Sequence, residues 1–286
     1  MIAARLVVAV VLALAVAPAA AGEREVTIPL TVSGLFGQRT VELSATEYRP
    51  DGEGPFAAVV LSHGSTLNPQ DRAKYTAKYP IASAIFVGWK LVVLSPVRRG
   101  YGKTGGAWGE DYGACASPAY AEAGLETARD IAAAVAWLAE RPYVDRTRIV
   151  LVGQSGGGWG SLAAASRGDL PIVGVVNFAG GRGGKQHNMA NNNCSPERLV
   201  EAAGRYGRTV KVPSLWLYAE NDQFFAPSLS HRMYVAYTDA GAPAAYHLVP
   251  AVGSDGHQLI ALKAGVPLWK DTVESFLKTL GVLPPR

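Results

Sequence analysis

Apolar and polar positions along the chain change their period repeatedly, and each change marks an element. Val26 to Val32 and Thr40 to Tyr48 are rich in Val, Thr, Leu and Ile with polar alternation, which predicts two strands joined at a Gly34 to Gly37 turn as an opening hairpin. After a loop from Pro50 to Pro55, the run Ala57 to Ser62 is short, apolar and ends at His63-Gly64, the pattern of a strand covered on both faces. A helical stretch from about Pro69 to Val87 and a strand from Leu91 to Pro96 come next. A long glycine-rich loop leads to a helix from about Ala119 to Glu140, with Leu125, Ala128, Ile131, Val135 and Leu138 on one side and Pro142 at its end. The alternation continues with strand Ile149 to Gly153, helix Gly156 to about Ser166, strand Ile172 to Ala179, and a short helix from about Pro196. Strand Ser214 to Ala219, helix Pro227 to Ala240, strand Ala245 to Pro250 and a closing helix Val266 to Leu280 complete it.

Strand and helix alternate from residue 57 onward, so the fold class is α/β: an eight-stranded, mostly parallel sheet with helices on both faces. Right-handed crossovers and ligand sites at the carboxyl ends of the strands follow from that arrangement. The 286 residues are 49% hydrophobic and 17% charged, a composition that supports one sizeable core, and no linker or repeat divides the chain. A single domain over 22–286 is expected.

Residues 1–21 precede that domain and have the form of a signal peptide. Met1 and Arg5 open an apolar stretch from Leu6 to Ala17, and Ala19 to Ala21 supply small residues for cleavage near Ala21 or Gly22. The stretch is short and Ala-rich for a bilayer span, so no stable membrane anchor is expected after cleavage, and the protein is placed in the periplasm or outside the cell. An oxidising compartment makes Cys115 and Cys194 candidate partners in a disulfide. The formal charge of +4 is modest, and no run of Lys and Arg interleaved with aromatics suggests a nucleic-acid groove.

The chemistry concentrates at Gly153-Gln154-Ser155-Gly156-Gly157, directly after one strand and before a helix. Glycine two before and two after the serine removes the Cβ atoms that would clash in a sharp strand-to-helix turn, and the hydroxyl is lifted clear. Among 32 glycines such a pattern arises by chance, and its authority here comes from its position between strand and helix. A serine hydroxyl needs a base, and the base an orienting partner. Of the five histidines only His257 lies on a loop past the last strand, so it is the expected general base. Asp222, beyond the apolar run of the penultimate strand, is the expected orienting acid, with Glu220 in reserve. Asp255 stands too near His257 in sequence for their side chains to face each other.

The order Ser155, Asp222, His257 resembles that of the α/β-hydrolase superfamily, with the nucleophile after the fifth strand, the acid after the seventh and the histidine after the eighth. The chain after the leader is most similar to the dienelactone-hydrolase-like and prolyl-oligopeptidase-like branch of small serine esterases and peptidases. That resemblance implies that the loop LSHGST supplies an oxyanion hole from the backbone N–H groups of Ser65 and Gly156, with His63 supporting the loop. It implies no metal and no organic cofactor. Two departures bear on the substrate. Dienelactone hydrolases use a cysteine where this chain has Ser155, and prolyl-oligopeptidase-like peptidases carry a propeller domain and a tyrosine where this chain has Gly156. Hydrolysis of small or polar esters through an acyl-enzyme is therefore expected ahead of amide or peptide hydrolysis, and ahead of a non-catalytic binding role on the same scaffold.

The segment GGRGGKQHNMANNNCSP after the sixth strand is too short and polar for a lid, which implies a minimal cap and an open pocket. Cys115 and Cys194 both fall on loops of the carboxyl edge, where a bridge would staple the pocket rim. Arg98, Arg99, Arg182, Lys185 and His187 are either solvated charge or anion-binding groups, and Trp108, Tyr112 and Trp159 are candidate aromatic walls, with Tyr101 a further candidate substrate contact. Of these, Trp159, Arg182 and Tyr101 are the expected substrate contacts.

Overall fold

The computed structural model describes residues 22–34, 37–76 and 79–285. The expected leader, residues 1–21, lies outside the described residues, as do the middle of the first turn (35–36) and residues 77–78.

One eight-stranded sheet organises the chain, in the order β1-β2-β4-β3-β5-β6-β7-β8. Its strands are β1 (Gly22–Gly34), β2 (Gly37–Arg49), β3 (Phe56–Ser62), β4 (Val92–Pro96), β5 (Val144–Gln154), β6 (Gly174–Phe178), β7 (Ser214–Ala219) and β8 (Ala244–Val249). β1 and β2 pair antiparallel from Gly22↔Arg49 to Gly34↔Gly37, and β2 meets β4 antiparallel. Every pairing from β3 to β8 is parallel. Burial explains the two kinds of strand. On β2, Val41, Leu43 and Ala45 are buried while Glu42 is exposed, because only one face is covered. On central β3 and β4, Val59 to Leu61 and Val92 to Leu94 are wholly buried, and each such side chain contributes about 1.5 to 3 kcal/mol of transfer free energy.

The helices are α1 (Pro69–Ala73), α2 (Pro80–Gly88), α3 (Tyr120–Ala139), α4 (Gly156–Ser166), α5 (Pro196–Gly207), α6 (Pro227–Asp239) and α7 (Val266–Thr279). One hydrophobic cluster joins α3, α4, α5 and α6 to one face of the sheet, and a second joins α2 and α7 to the other. The apolar side of α3 is the one its sequence indicates, with Ala128, Ile131, Val135 and Leu138 fully buried and Leu125 half-buried. The stretch from Pro69 to Val87 is two helices rather than one. α1 stops at Ala73, and Pro80, which has no N–H for an earlier carbonyl, starts α2 instead of continuing it. β5 begins earlier than expected, because a register shift between its pairings Phe56↔Val144 and Ala58↔Ile149 lets a polar segment extend the strand.

The sheet order sets out the site. β5 lies between β3 and β6, with Ser62 opposite Gly153 and Gln154 opposite Phe178. The chain leaving β5 therefore has the loop after β3 on one side and the loop after β6 on the other.

Candidate active site

Ser155 joins β5 to α4 with φ 54° and ψ −123°, a conformation that costs a non-glycine residue about 1 to 3 kcal/mol. Its backbone is held on both sides. The Ser155 N–H donates to Phe178 O at 2.9 Å, and its carbonyl accepts from Trp159 N at 2.9 Å and Gly181 N at 3.3 Å. The flanking glycines are a steric requirement. A Cβ on Gly153 would lie 2.4 Å from the Gly157 carbonyl, and one on Gly157 would lie 2.2 Å from Ser62 O and 2.4 Å from His63 O. Backbone meets backbone in this turn, so no side-chain movement relieves it.

The loop after β7 and the loop after β8 bring Asp222 and His257 together. His257 Nδ1 is 3.1 Å from both carboxylate oxygens of Asp222, and both residues are buried. Asp222 Oδ1 also accepts the backbone N–H of Phe224 at 2.7 Å and of Phe225 at 3.0 Å, so its charge is met by hydrogen bonds despite burial. The imidazole stacks on Phe224 at 4.0 Å between centroids. Glu220 is exposed. Asp255 has a different task, accepting His257 N at 3.0 Å and Gln223 N at 3.1 Å and so tying the two loops. Asn221 ties them again through Val252 and Gly253. Gln154 Nε2 donates to His257 O at 3.0 Å, so the variable second position of the serine turn anchors the histidine loop.

The loop after β3 faces the start of α4. A Cβ on Gly156 would be 2.1 Å from Ser65 Oγ and 3.3 Å from Ser65 N, which sets the two backbone segments side by side next to Ser155. His63 is fully buried behind them, its Nε2 accepting Arg98 N at 3.1 Å and its Nδ1 donating to Gly64 O at 2.6 Å. Burial, with the Arg98 charge adding to it, pushes the imidazole well below the usual histidine range, so His63 is a neutral structural group.

Ser155 opens into two hollows that share Ser65 and Phe224. One, of about 290 Å³, is lined by Tyr112, Gly156, Arg182, Gln186, Phe224 and Phe225 among others. The other, of about 360 Å³, extends past His257, Gln154, Tyr75 and Tyr79. Arg182 and Tyr112 thus line a hollow beside Ser155, as expected of wall residues. Trp159 and Tyr101 do not. Trp159 is wholly buried, donates to Tyr120 O at 2.9 Å and packs on Tyr206, because four residues after Ser155 the helix presents its inner side to α3. Tyr101 is also wholly buried, bonded to Glu110 and packed on His63. Arg98 and Arg99 are structural as well, sealed against Glu110 and against Asp130 and Glu126. Cys115 and Cys194 form a disulfide on the rim, beside a hydrogen bond of 2.7 Å from Ser195 Oγ to Cys115 O.

A family model described as the prolyl oligopeptidase family matches residues 82–177, a stretch that runs from within α2 to β6 and contains Ser155. The chain has the α/β-hydrolase fold. The fold of this chain is similar to that of Pyrococcus horikoshii acylaminoacyl peptidase (TM-score 0.64, 17% identity), covering 90% of this chain and 41% of that one. This chain thus spans about two fifths of the peptidase chain it matches. It is also similar to an esterase from Pyrococcus furiosus (TM-score 0.61, 17% identity, 88% and 90% covered). Acetyl xylan esterase 1 from Thermoanaerobacterium sp. JW/SL YS485 is a further neighbour (TM-score 0.58, 17% identity, 89% and 83% covered). No curated protein matches the sequence.

Sequence reasoning missed the residues that hold this site, Gln154, Phe224, Asp255, Arg98 and Glu110. Asp255 had a local signal in the run GSDGH, since an aspartate before a short turn caps the N–H groups that follow it. Glu110 had none.

Proposed function

We propose that this hydrolase is an exported esterase that cleaves small or polar carboxylic esters through an acyl-enzyme. Ser155 attacks the ester carbonyl, His257 takes its proton and returns it to the leaving alcohol, and Asp222 orients the imidazole. The N–H groups of Ser65 and Gly156 receive the oxyanion. The observation that carries this reading is the sharing of one hollow by Ser155, His257 and Ser65, with Asp222 buried behind the imidazole. Two hollows on either side of Ser155 suit the acyl and alcohol parts of a small ester. Esterases among the structural neighbours support the same reading. Export is supported by the leader-like sequence of residues 1–21 and by the paired cysteines.

The family match and the acylaminoacyl peptidase neighbour favour a second reading, hydrolysis of amides or peptides. Against it stands Gly156. Peptidases of this group carry a tyrosine there, and this structure has no space for a Cβ 2.1 Å from Ser65 Oγ. Matched p-nitrophenyl esters and p-nitroanilides, assayed with Ser155→Ala as control, test the proposal. The expected result is ester turnover that falls on the order of 10⁴-fold in the variant. Faster anilide turnover would select the second reading, and activity retained in Ser155→Ala would reject both.

A further inference from the structure

Beneath the oxyanion loop lies a cluster of charge assembled from three loops. The Arg98 guanidinium is wholly buried. Its Nη1 donates to Ser62 Oγ at 3.1 Å and to His63 O at 2.5 Å, and its Nη2 donates to Gly64 O at 3.1 Å and Ser65 Oγ at 3.0 Å. One side chain therefore grips four consecutive residues, the last of which offers its N–H to the site. Arg98 is in turn paired through Nε and Nη2 with Glu110. Glu110 also accepts Ser65 Oγ–H at 2.8 Å, Tyr101 O–H at 3.1 Å and Arg182 Nη2 at 2.9 Å. The Ser65 hydroxyl is thus fixed twice, as donor to Glu110 and as acceptor from Arg98. Arg182 completes the chain by donating to Thr127 Oγ1 at 2.6 Å and by lining the hollow beside Ser155. Two guanidiniums face one carboxylate, so the cluster carries a formal charge of +1 next to the place where negative charge develops.

We infer that Arg98 and Glu110 are positioning residues for the oxyanion hole, aiming the Ser65 N–H by clamping its hydroxyl and the three carbonyl and hydroxyl groups before it. A preorganised donor stabilises an oxyanion because it need not reorient during reaction, and loosening it removes transition-state binding while substrate binding survives. The Ser65 side chain takes part only through this clamp, and neither Arg98 nor Glu110 touches the reacting atoms. The inference rests on the serine-hydrolase assignment of Ser155 and is independent of whether the substrate is an ester or an amide.

The test uses the purified protein and a fluorophosphonate probe, whose phosphonylation of the serine passes through the same hole. Wild type, Ser65→Ala, Arg98→Lys and the double variant are compared for phosphonylation rate, end-point titration and kcat and KM on p-nitrophenyl acetate. Ser65→Ala keeps the N–H, and Arg98→Lys keeps the charge but loses the fork. The expected result is a phosphonylation rate and a kcat per titrated serine lowered about tenfold in Ser65→Ala and about 10²-fold in Arg98→Lys, with KM within threefold. The double variant falls no further than Arg98→Lys, because both act through one clamp. Rates per titrated serine equal to wild type would overturn the inference, as would single effects that multiply in the double variant. If Arg98→Lys does not fold, Ser65→Ala decides alone. A wild-type protein that labels but cleaves no ester leaves the phosphonylation comparison valid and counts only against the esterase proposal.

Discussion

Gly157→Ala tests whether the turn at Ser155 is set by steric contact between two backbone segments. The added Cβ would lie 2.2 Å from Ser62 O and 2.4 Å from His63 O. Ordinary contact requires α4 and the loop after β3 to separate by about 1 Å. Overpacking of this kind costs about 1 to 3 kcal/mol. For a chain of this size that corresponds to a melting temperature lower by about 2 to 12 °C. The displaced segments carry Ser155 on one side and Ser65 on the other, and a misplacement of about 1 Å in a catalytic constellation costs about 10²-fold. Thermal melts and kcat on p-nitrophenyl acetate measure the two effects separately. Gly88→Ala is the control, because its Cβ meets nothing within 4 Å. A Gly157→Ala protein with the melting temperature and kcat of wild type would refute the steric account of the turn.

Asp222→Asn leaves the hydrogen-bonding shape but removes the charge that orients His257, and kcat on a p-nitrophenyl ester falls on the order of 10⁴-fold, while Glu220→Gln stays within twofold. The disulfide spans 79 residues, and the chain-entropy model assigns such a loop at most about 4 to 5 kcal/mol; denaturant melts of Cys115→Ser/Cys194→Ser should show a loss, and an unchanged midpoint would mean that the rim holds without it. Acid should destabilise the fold in two steps. Burial holds His63 below its usual value of 6.5, and Glu110, which burial alone would raise, is held well below 4.5 by Arg98 and Arg182. In both cases the unfolded chain binds more protons than the folded one, so the contribution of His63 is lost below about 6.5 and that of Glu110 below about 4.5, by about 1.4 kcal/mol per pH unit for each group, while Asp130, which burial raises to about 6, offsets part of the first loss between about pH 6 and 4. Melting curves from about pH 2.5 to 8 check this, and Glu110→Gln should flatten the lower step.

The elements were legible because their signals are local. A buried strand between two helices shows in its composition, and β3, β4 and β7 begin and end within a residue or so of where their apolar runs do. The triad candidates were legible for the same reason, since each lies just beyond an apolar run and the parallel sheet gathers such positions at one edge. Trp159 and Tyr101 show where local signals fail. Whether an aromatic beside the nucleophile faces substrate or core depends on helix phase and on space made elsewhere. Here that space comes from Gly124 and Gly160, whose Cβ atoms would meet Trp159 Nε1 at 2.9 Å and Thr127 Cγ2 at 2.1 Å. A surface-like spelling misled in the same way at Arg98 and Arg99, whose partners Glu110 and Asp130 lie 12 and 31 residues further on.

What holds the edge of the sheet together is polar rather than apolar, and this bears on how the site stays in register. Asp255 and Asn221 lace the acid loop to the histidine loop, Gln154 ties the histidine loop to the serine turn, and Arg98 with Glu110 ties the serine turn's neighbour to the loops after β4 and β6. Each tie is a side chain from one loop bonded to backbone or buried charge of another, so displacing one loop leaves an unpaired buried group in the next, at about 1 to 3 kcal/mol apiece. Rigidity of this kind needs no lid closing over the substrate. The same loop builds the wall shared by the two hollows that meet at Ser155, since Phe224 lines both and stacks on His257. A change of substrate preference in this scaffold is therefore expected to come from Tyr112 and Gln186 on the rim, which are bonded to each other at 3.2 Å and belong to no tie of the triad.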